Sequence, residues 1–309
     1  MPASLRQVAL IRNEGLGLPP DAFRLPEGKY EIWMRDSQQP LSLSTGNQYF
    51  LLGENRTTLN KLAKIFGTAE QNHLTPEAHA TYAMSQLNVS PAFLGAYLIY
   101  EPGSNMILPG LILEDGGLDL HEVCRSKKKL SLRQRVDLIE QMFLLSQTMF
   151  HHGWSHGDIT PKNIVVQNTK KPIKVRFIDF SHSKKIVPKP VEIGDPHAFG
   201  TLGFRAPKDL VPLGPFDPRW DVFSLGVTCY FTLAHEYPFS WDLRIKACRY
   251  RNPTHLHSLM CKNREPANGL QRISDTIMQA IKTDHTHPYA NPSVFCEAML
   301  PAIKIYKGE

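Results

Sequence analysis

The stretch that most constrains this chain is His156-Gly157-Asp158-Ile159-Thr160-Pro161-Lys162-Asn163, a polar run set between two apolar segments. Upstream, Ser131-Leu-Arg-Gln134 places a Gln three residues after a Ser, the capping-box pattern that opens a helix. Leu132, Val136, Ile139, Phe143, Ser146 and Phe150 then recur at three- and four-residue steps, which predicts a buried helix of about five turns stopped at Gly153. Downstream, Ile164-Val-Val166 and Ile173-Lys-Val-Arg-Phe-Ile178 flank Asn168-Thr-Lys-Lys-Pro172, the pattern of a short hairpin, which leads into Asp179-Phe180-Ser181. Asp158, Asn163 and Asp179 therefore fall at the polar junctions of apolar elements.

The texture of the chain changes near residue 117. Before it, short runs rich in Tyr, Phe, Leu and Ile alternate with turn clusters, and one helical stretch runs from Pro76 to about Leu87, which predicts a small antiparallel sheet with a single helix. Helical patterning dominates from Trp220 onward. A chain of 309 residues with 42% apolar and 21% charged side chains can bury one large core or two coupled lobes, which argues against disorder.

The 35 Lys and Arg against 29 Asp and Glu leave +6, a balance that suits an anionic ligand but lacks the dense basic stripe of a nucleic-acid binder. Five cysteines without zinc-like spacing read as free thiols in a reducing compartment. No leader pattern opens the chain, and no run approaches the roughly eighteen apolar residues of a membrane span. The expectation is a cytosolic protein, with the nucleus open, that engages neither membrane nor nucleic acid.

An Asp, an Asn five residues on and a second Asp after one hairpin meet the needs of phosphoryl transfer: one carboxylate orients the attacking hydroxyl, and two oxygen ligands hold magnesium. Here the residues resemble the protein kinase family. His156-Gly-Asp158 with Asn163 is similar to its catalytic loop, and Asp179-Phe-Ser181 to its magnesium-binding Asp-Phe-Gly. Gly200-Thr-Leu-Gly-Phe-Arg-Ala-Pro207 is similar to the end of the activation segment, and Asp221-Val-Phe-Ser-Leu-Gly226 to the start of the central C-lobe helix. Small-molecule kinases of the aminoglycoside phosphotransferase type share the His-Gly-Asp and Asn but lack the last two elements.

In the N-terminal part the resemblance implies a strand lysine for the α/β-phosphates and a helix glutamate to hold it. Lys64 lies on an apolar strand and Glu77 opens the next helix thirteen residues on, with Lys61 the rival lysine and Glu70 the rival acid. Where the family carries a glycine-rich loop there is only Ser44-Thr45-Gly46-Asn47, so Gly46 alone admits a tight turn and nucleotide affinity is expected to be weak. Leu111-Ile-Leu113-Glu114-Asp115-Gly116 resembles the last N-lobe strand running into the hinge, with Leu113 as gatekeeper and the backbone of Glu114 to Gly116 offered to an adenine edge.

The chain also departs from the family pattern. Gly157 replaces the His-Arg-Asp arginine, which removes the guanidinium that receives a phosphorylated activation loop. Thr160 stands where a lysine contacts the γ-phosphate, and Lys162 is the candidate to take its place. Lys208 replaces the glutamate of Ala-Pro-Glu, and Asn291 stands where its arginine partner is expected. The resemblance as a whole implies a two-lobed α+β protein kinase-like fold: an arm over residues 1–29, a sheet lobe over 30–116 and a mainly helical lobe over 117–309. It implies ATP and Mg2+ as cofactors and a protein substrate phosphorylated on Ser or Thr. The resemblance further implies that Asp158 and Lys162 act on the reacting groups, Asn163 and Asp179 on the metal, and Lys64, Glu77, Gly46, Glu114 and Gly116 on the nucleotide. A catalytically impaired pseudokinase that serves as a binding or scaffold module is the first alternative, and a small-molecule kinase of the aminoglycoside phosphotransferase type the second.

Overall fold

The computed structural model describes residues 6–33, 48–54, 60–67, 71–102, 106–126, 130–168, 173–186, 200–207, 211, 217–242, 247–249, 256, 269–283 and 288–309. The chain forms two compact units, Met1–Gly116 and Gly117–Glu309. In the first, β1 (Arg6–Arg12), β2 (Gly28–Trp33), β3 (Gln48–Gly53), β4 (Lys61–Ile65), β5 (Phe93–Glu101) and β6 (Met106–Glu114) make a closed antiparallel barrel in the order β1-β2-β3-β4-β6-β5. Period-two alternation puts Val8 and Leu10, Tyr30 and Ile32, Phe50 and Leu52, Ala63 and Ile65, and Tyr97 and Ile99 into one buried cluster.

Residues 6–12, read from the sequence as part of an arm, are the strand that closes this barrel. Val8 pairs with Tyr30 on one side and Leu10 with Ile99 on the other. The alternation there is short, and the strands that give it meaning lie far along the chain. The helix expected from Pro76 begins earlier, as α1 (Gln71–Gln86), with Pro76 inside it. Proline cannot donate to the carbonyl of Asn72, but both residues are exposed, so water can serve that carbonyl.

The second unit contains α2 (Leu120–Arg125) and α3 (Leu132–His151). The short strand β7 (Leu118–Asp119) pairs with β9 (Ile164–Asn168), which pairs with β10 (Lys174–Phe177), and β8 (Trp154–Ser155) pairs with β11 (Lys184–Lys185). The expected capping box forms at Ser131 and Gln134, and Gly153 follows the helix at φ 72°. Next come α4 (Pro218–Ala234), α5 (Leu270–Ala280) and α6 (Pro292–Lys307). Every residue of α4 from Trp220 to Leu233 is buried, as befits a helix surrounded by others. Gly226 lets α5 approach, since a Cβ there would lie 2.8 Å from Ile281 Cγ2 and 3.0 Å from Ala280 Cβ. Among the described residues, no helix is long and apolar enough to cross a membrane.

Candidate active site

In the second unit the chemistry-bearing loop hangs on α4. Asp221, fully buried, accepts from Ser155 Oγ at 2.9 Å and His156 N at 2.7 Å on Oδ2, and from Gly157 N at 2.9 Å on Oδ1. Burial pushes its pKa up, while His156 and the three donors favour the carboxylate. The indole N–H of Trp220 donates to Gly157 O at 2.9 Å. Gly157, at φ 77°, can present both its N–H and its C=O to α4 in a conformation that costs a side-chain-bearing residue strain. His156 Nδ1 accepts from Asp158 N at 3.3 Å, and its ring packs against Phe177 and Phe180 at centroid distances of 5.4 and 5.1 Å.

Asp158 emerges from this clamp only 8% exposed. Asn163 Nδ2 donates to its main-chain O at 3.0 Å and to Oδ2 at 2.8 Å. From the other side Thr201 gives its N–H to Oδ1 at 2.6 Å and its hydroxyl to Oδ2 at 3.1 Å. Gly200 permits this approach: at φ 69°, any Cβ would sit 3.0 Å from Gly157 O and 3.3 Å from Trp220.

Asp179 follows β10. The N–H of Ile178 donates to Asn163 O at 3.0 Å, so Asn163 and Asp179 flank one hydrogen bond. Asp179 holds φ 62°, uncommon for a residue other than glycine, and accepts from Ser181 Oγ at 2.8 Å. Among the described residues, no group of three or more His, Cys, Asp or Glu gathers to hold a metal unaided. The pair fits magnesium nonetheless, because one carboxylate and one amide oxygen are hard donors suited to an ion that keeps waters and takes substrate phosphates as further ligands. Lys162 is exposed and its charge bears on His121, whereas Thr160 is buried.

In the first unit β4 carries Lys64 and α1 carries Glu77, and they meet at 2.6 Å with side chains 3% and 2% exposed. Lys64 Nζ also lies over the rings of Tyr49 and Phe66, at 5.8 and 5.2 Å from their centroids. The rival Lys61 is partly exposed and donates to Asn60 Oδ1 at 2.9 Å. Of the backbone donors from Glu114 to Gly116, the N–H of Glu114 is taken by Ala92 O at 2.9 Å and that of Asp115 by Asn60 O at 3.1 Å. Strand pairing at the end of the barrel consumes those two donors, and Gly116 beyond them is buried. Gly46, Glu70 and Lys208 lie outside the described residues. Asn291 is the N-cap of α6, accepting from Ser293 N at 3.0 Å and Val294 N at 3.1 Å, a capping role the family comparison hides.

Thr201 and Asp221 stand within the sequence motifs and Trp220 opens the helical patterning, but the hydrogen bonds they make to the loop come only from the tertiary structure. The usable signals were an Asp inside an otherwise apolar helix and a Gly directly before a hydroxyl residue.

A strand lobe with a buried Lys–Glu pair, followed by a mainly helical lobe that presents Asp158, Asn163 and Asp179, is the two-lobed α+β protein kinase-like fold. Solved structures agree: Rad53 1-466 in complex with AMP-PNP has a TM-score of 0.59 at 18% identity, covering 86% of this chain and 64% of that one. A Rad53 kinase domain with SCD2 has a TM-score of 0.53 at 18% identity, over 84% and 83%. The family model for the protein kinase domain matches residues 61–285, more than half of the chain. This chain belongs to the protein kinase family. Serine/threonine-protein kinase PknA of Mycobacterium tuberculosis is 30% identical over 176 residues, 57% of this chain and 36% of its own. Ribosomal protein S6 kinase alpha-4 of Mus musculus is 30% identical over 152 residues, 48% and 18%. The matched region thus spans little more than a third of these curated relatives at most.

Proposed function

We propose that the protein is an ATP- and Mg2+-dependent kinase that transfers a γ-phosphoryl group to a Ser or Thr hydroxyl of a protein. The observation that carries this reading is the Asp158 carboxylate, which is held rigidly yet not saturated. A carboxylate offers about four lone-pair positions, and Thr201 and Asn163 fill three of them. The fourth can accept an incoming hydroxyl and orient it for attack. Asn163 and Asp179 would hold magnesium, which neutralises charge on the phosphate oxygens when bound. Lys64, positioned by Glu77, would bind the α/β-phosphates, Gly116 would donate to the adenine edge, and Lys162 would steady the γ-phosphate. The kinship with PknA supports Ser or Thr as the acceptor.

The second reading, a kinase fold kept for binding, is favoured by the single glycine at Gly46 and by the two Thr201 donors that cover Asp158. A thermal-shift titration with ATP, with and without magnesium, followed by phosphate transfer to a generic protein substrate, decides between them. Stabilisation and transfer support the kinase. A melting temperature unmoved at millimolar ATP and magnesium, with no transfer, rejects it.

A further inference from the structure

The segment between β1 and β2, residues 13–27, has no part in the chemistry above, yet it is tied down along its length. Asn13 N donates to Ala96 O at 3.1 Å and Arg24 N to Leu94 O at 2.9 Å. Leu25 N donates to Tyr97 Oη at 3.0 Å, and the same hydroxyl donates back to Leu25 O at 2.9 Å. These bonds fasten both ends of the segment to β5. Between them the chain crosses α1. Leu16, Leu18 and Ala22 share one buried cluster with Leu74 and Ala78 of the helix and with Phe66, Phe93, Leu111 and Leu113 of the barrel. Two polar contacts reinforce the crossing: His79 Nε2 lies 2.8 Å from Leu16 O, and Tyr82 Oη donates to Asp21 Oδ2 at 3.0 Å.

The touching residues Leu74, Ala78 and Tyr82 stand four apart and so form one stripe of α1. Glu77 is next to that stripe, and its partner Lys64 is on β4, adjacent to the Phe66 of the same cluster. Apart from residues 13–27, the helix is tied to the barrel by Ser85 Oγ, which accepts from Phe93 N at 2.8 Å, and by the Lys64–Glu77 pair. Its sequence, Gln-Asn-His-Leu-Thr-Pro-Glu-Ala-His-Ala-Thr-Tyr-Ala-Met-Ser-Gln, is mostly polar or small and contains a proline. A helix of this length and composition depends on packing for both its stability and its rotation.

We propose that residues 13–27 are a strap that positions α1, so that residues of the same chain hold Glu77 on Lys64. Leu16, Leu18, Ala22 and the Asp21–Tyr82 bond are positioning groups that act through the helix. The consequence for turnover rests on the function proposed above; the mechanical claim does not. In kinases the placing of this helix is a point of control, and here the strap would set it without a second protein.

The test uses the full chain, with Leu18→Asp to unseat the strap and an Asp21→Asn, Tyr82→Phe double variant to release only its surface bond. Hydrogen exchange is followed by mass spectrometry over residues 72–86, with 132–149 as the internal control. Exposure of Lys64 is read as its rate of acetylation by an N-hydroxysuccinimide ester. Leu18→Asp should speed both exchange in α1 and acetylation of Lys64 by about tenfold or more, with α3 unchanged, and the double variant should move both the same way by about two- to fivefold. Should Leu18→Asp unfold the first unit, the double variant decides. Wild-type exchange and acetylation in the double variant, alone or together with Leu18→Asp, would overturn the strap. Phosphate transfer is measured on the same samples. If the wild type transfers none, the proposed function fails, while exchange and acetylation still judge the strap. If the wild type is active and a variant with loosened α1 keeps full turnover, the positioning role is overturned.

Discussion

At the residue scale, the Asp158 carboxylate owes its behaviour to counted donors. Asp158 takes two hydrogen bonds from Thr201 and one side-chain bond from Asn163. Asp158→Asn would turn one acceptor into a donor facing those donors, so the expected loss of stability is about 1–2 kcal/mol, read from the denaturant midpoint. Turnover should fall by about a hundredfold or more with ATP-induced stabilisation intact. Retained turnover would remove Asp158 from the chemistry. The Lys64–Glu77 pair is governed by desolvation instead. Lys64→Met leaves a buried carboxylate without its cation and should cost about 3 kcal/mol, most of which the double variant Lys64→Met, Glu77→Gln recovers. Additive losses would mean the two groups do not support each other.

At the scale of elements, α2 carries a titratable contact. His121 stacks on Phe231 of α4 at 5.6 Å with the rings 7° from parallel. Burial, with the Arg125 charge adding to it, holds its pKa below the ordinary 6.5. The unfolded chain therefore takes up the proton first as pH falls through 6.5. The stability contributed by neutral His121 is complete above that pH and is lost below it. Asp221 titrates in the opposite sense, since its raised pKa makes acid favour the folded state, so the two must be separated by substitution. The drop in melting temperature between pH 7.5 and 5.5 should be smaller in His121→Phe than in wild type. An equal drop in both would mean His121 keeps its ordinary affinity for protons.

At the scale of the molecule, Cys124, Cys229 and Cys296 are distributed through the second unit, all buried and free. Burial pushes the thiol of Cys124 up to about 12 and that of Cys296 to about 11, and raises that of Cys229 as well. Thiolate is the reactive form, so none of the three should alkylate with iodoacetamide at pH 8 in the folded protein, and all should do so once denaturant unfolds it. Mapping the labelled peptides along an unfolding curve tests whether the unit opens cooperatively. Labelling of Cys229 before the main transition would point to a loose α4. A second whole-molecule test addresses the metal. If Asp179 serves magnesium as proposed, Asp179→Asn should abolish the magnesium dependence of the ATP-induced thermal shift while leaving the unliganded melting temperature near wild type, because a carboxylate that binds an ion adds little to the core.

What could be read without coordinates was local. The capping box at Ser131 and Gln134, the hairpin around residues 164–177 and the grouping of Asp158, Asn163 and Asp179 all depend on spacings of a few residues or one hairpin, which local geometry largely dictates. The sequence favours Lys64 over Lys61 as the partner of Glu77, and the structure pairs Lys64 with it, but spacing alone leaves the rival open. Lys61 and Lys64 lie three apart on β4, so the pleat turns them to opposite faces, and only the packing of α1 chose between them. The barrel-closing strand needed Leu10 beside Ile99, and the Asp158 loop needed donors bonded to Asp221 some 64 to 66 residues on. Such pairings are selected by the free energy of a whole packed core, to which a short run of sequence contributes too little to reveal its partner.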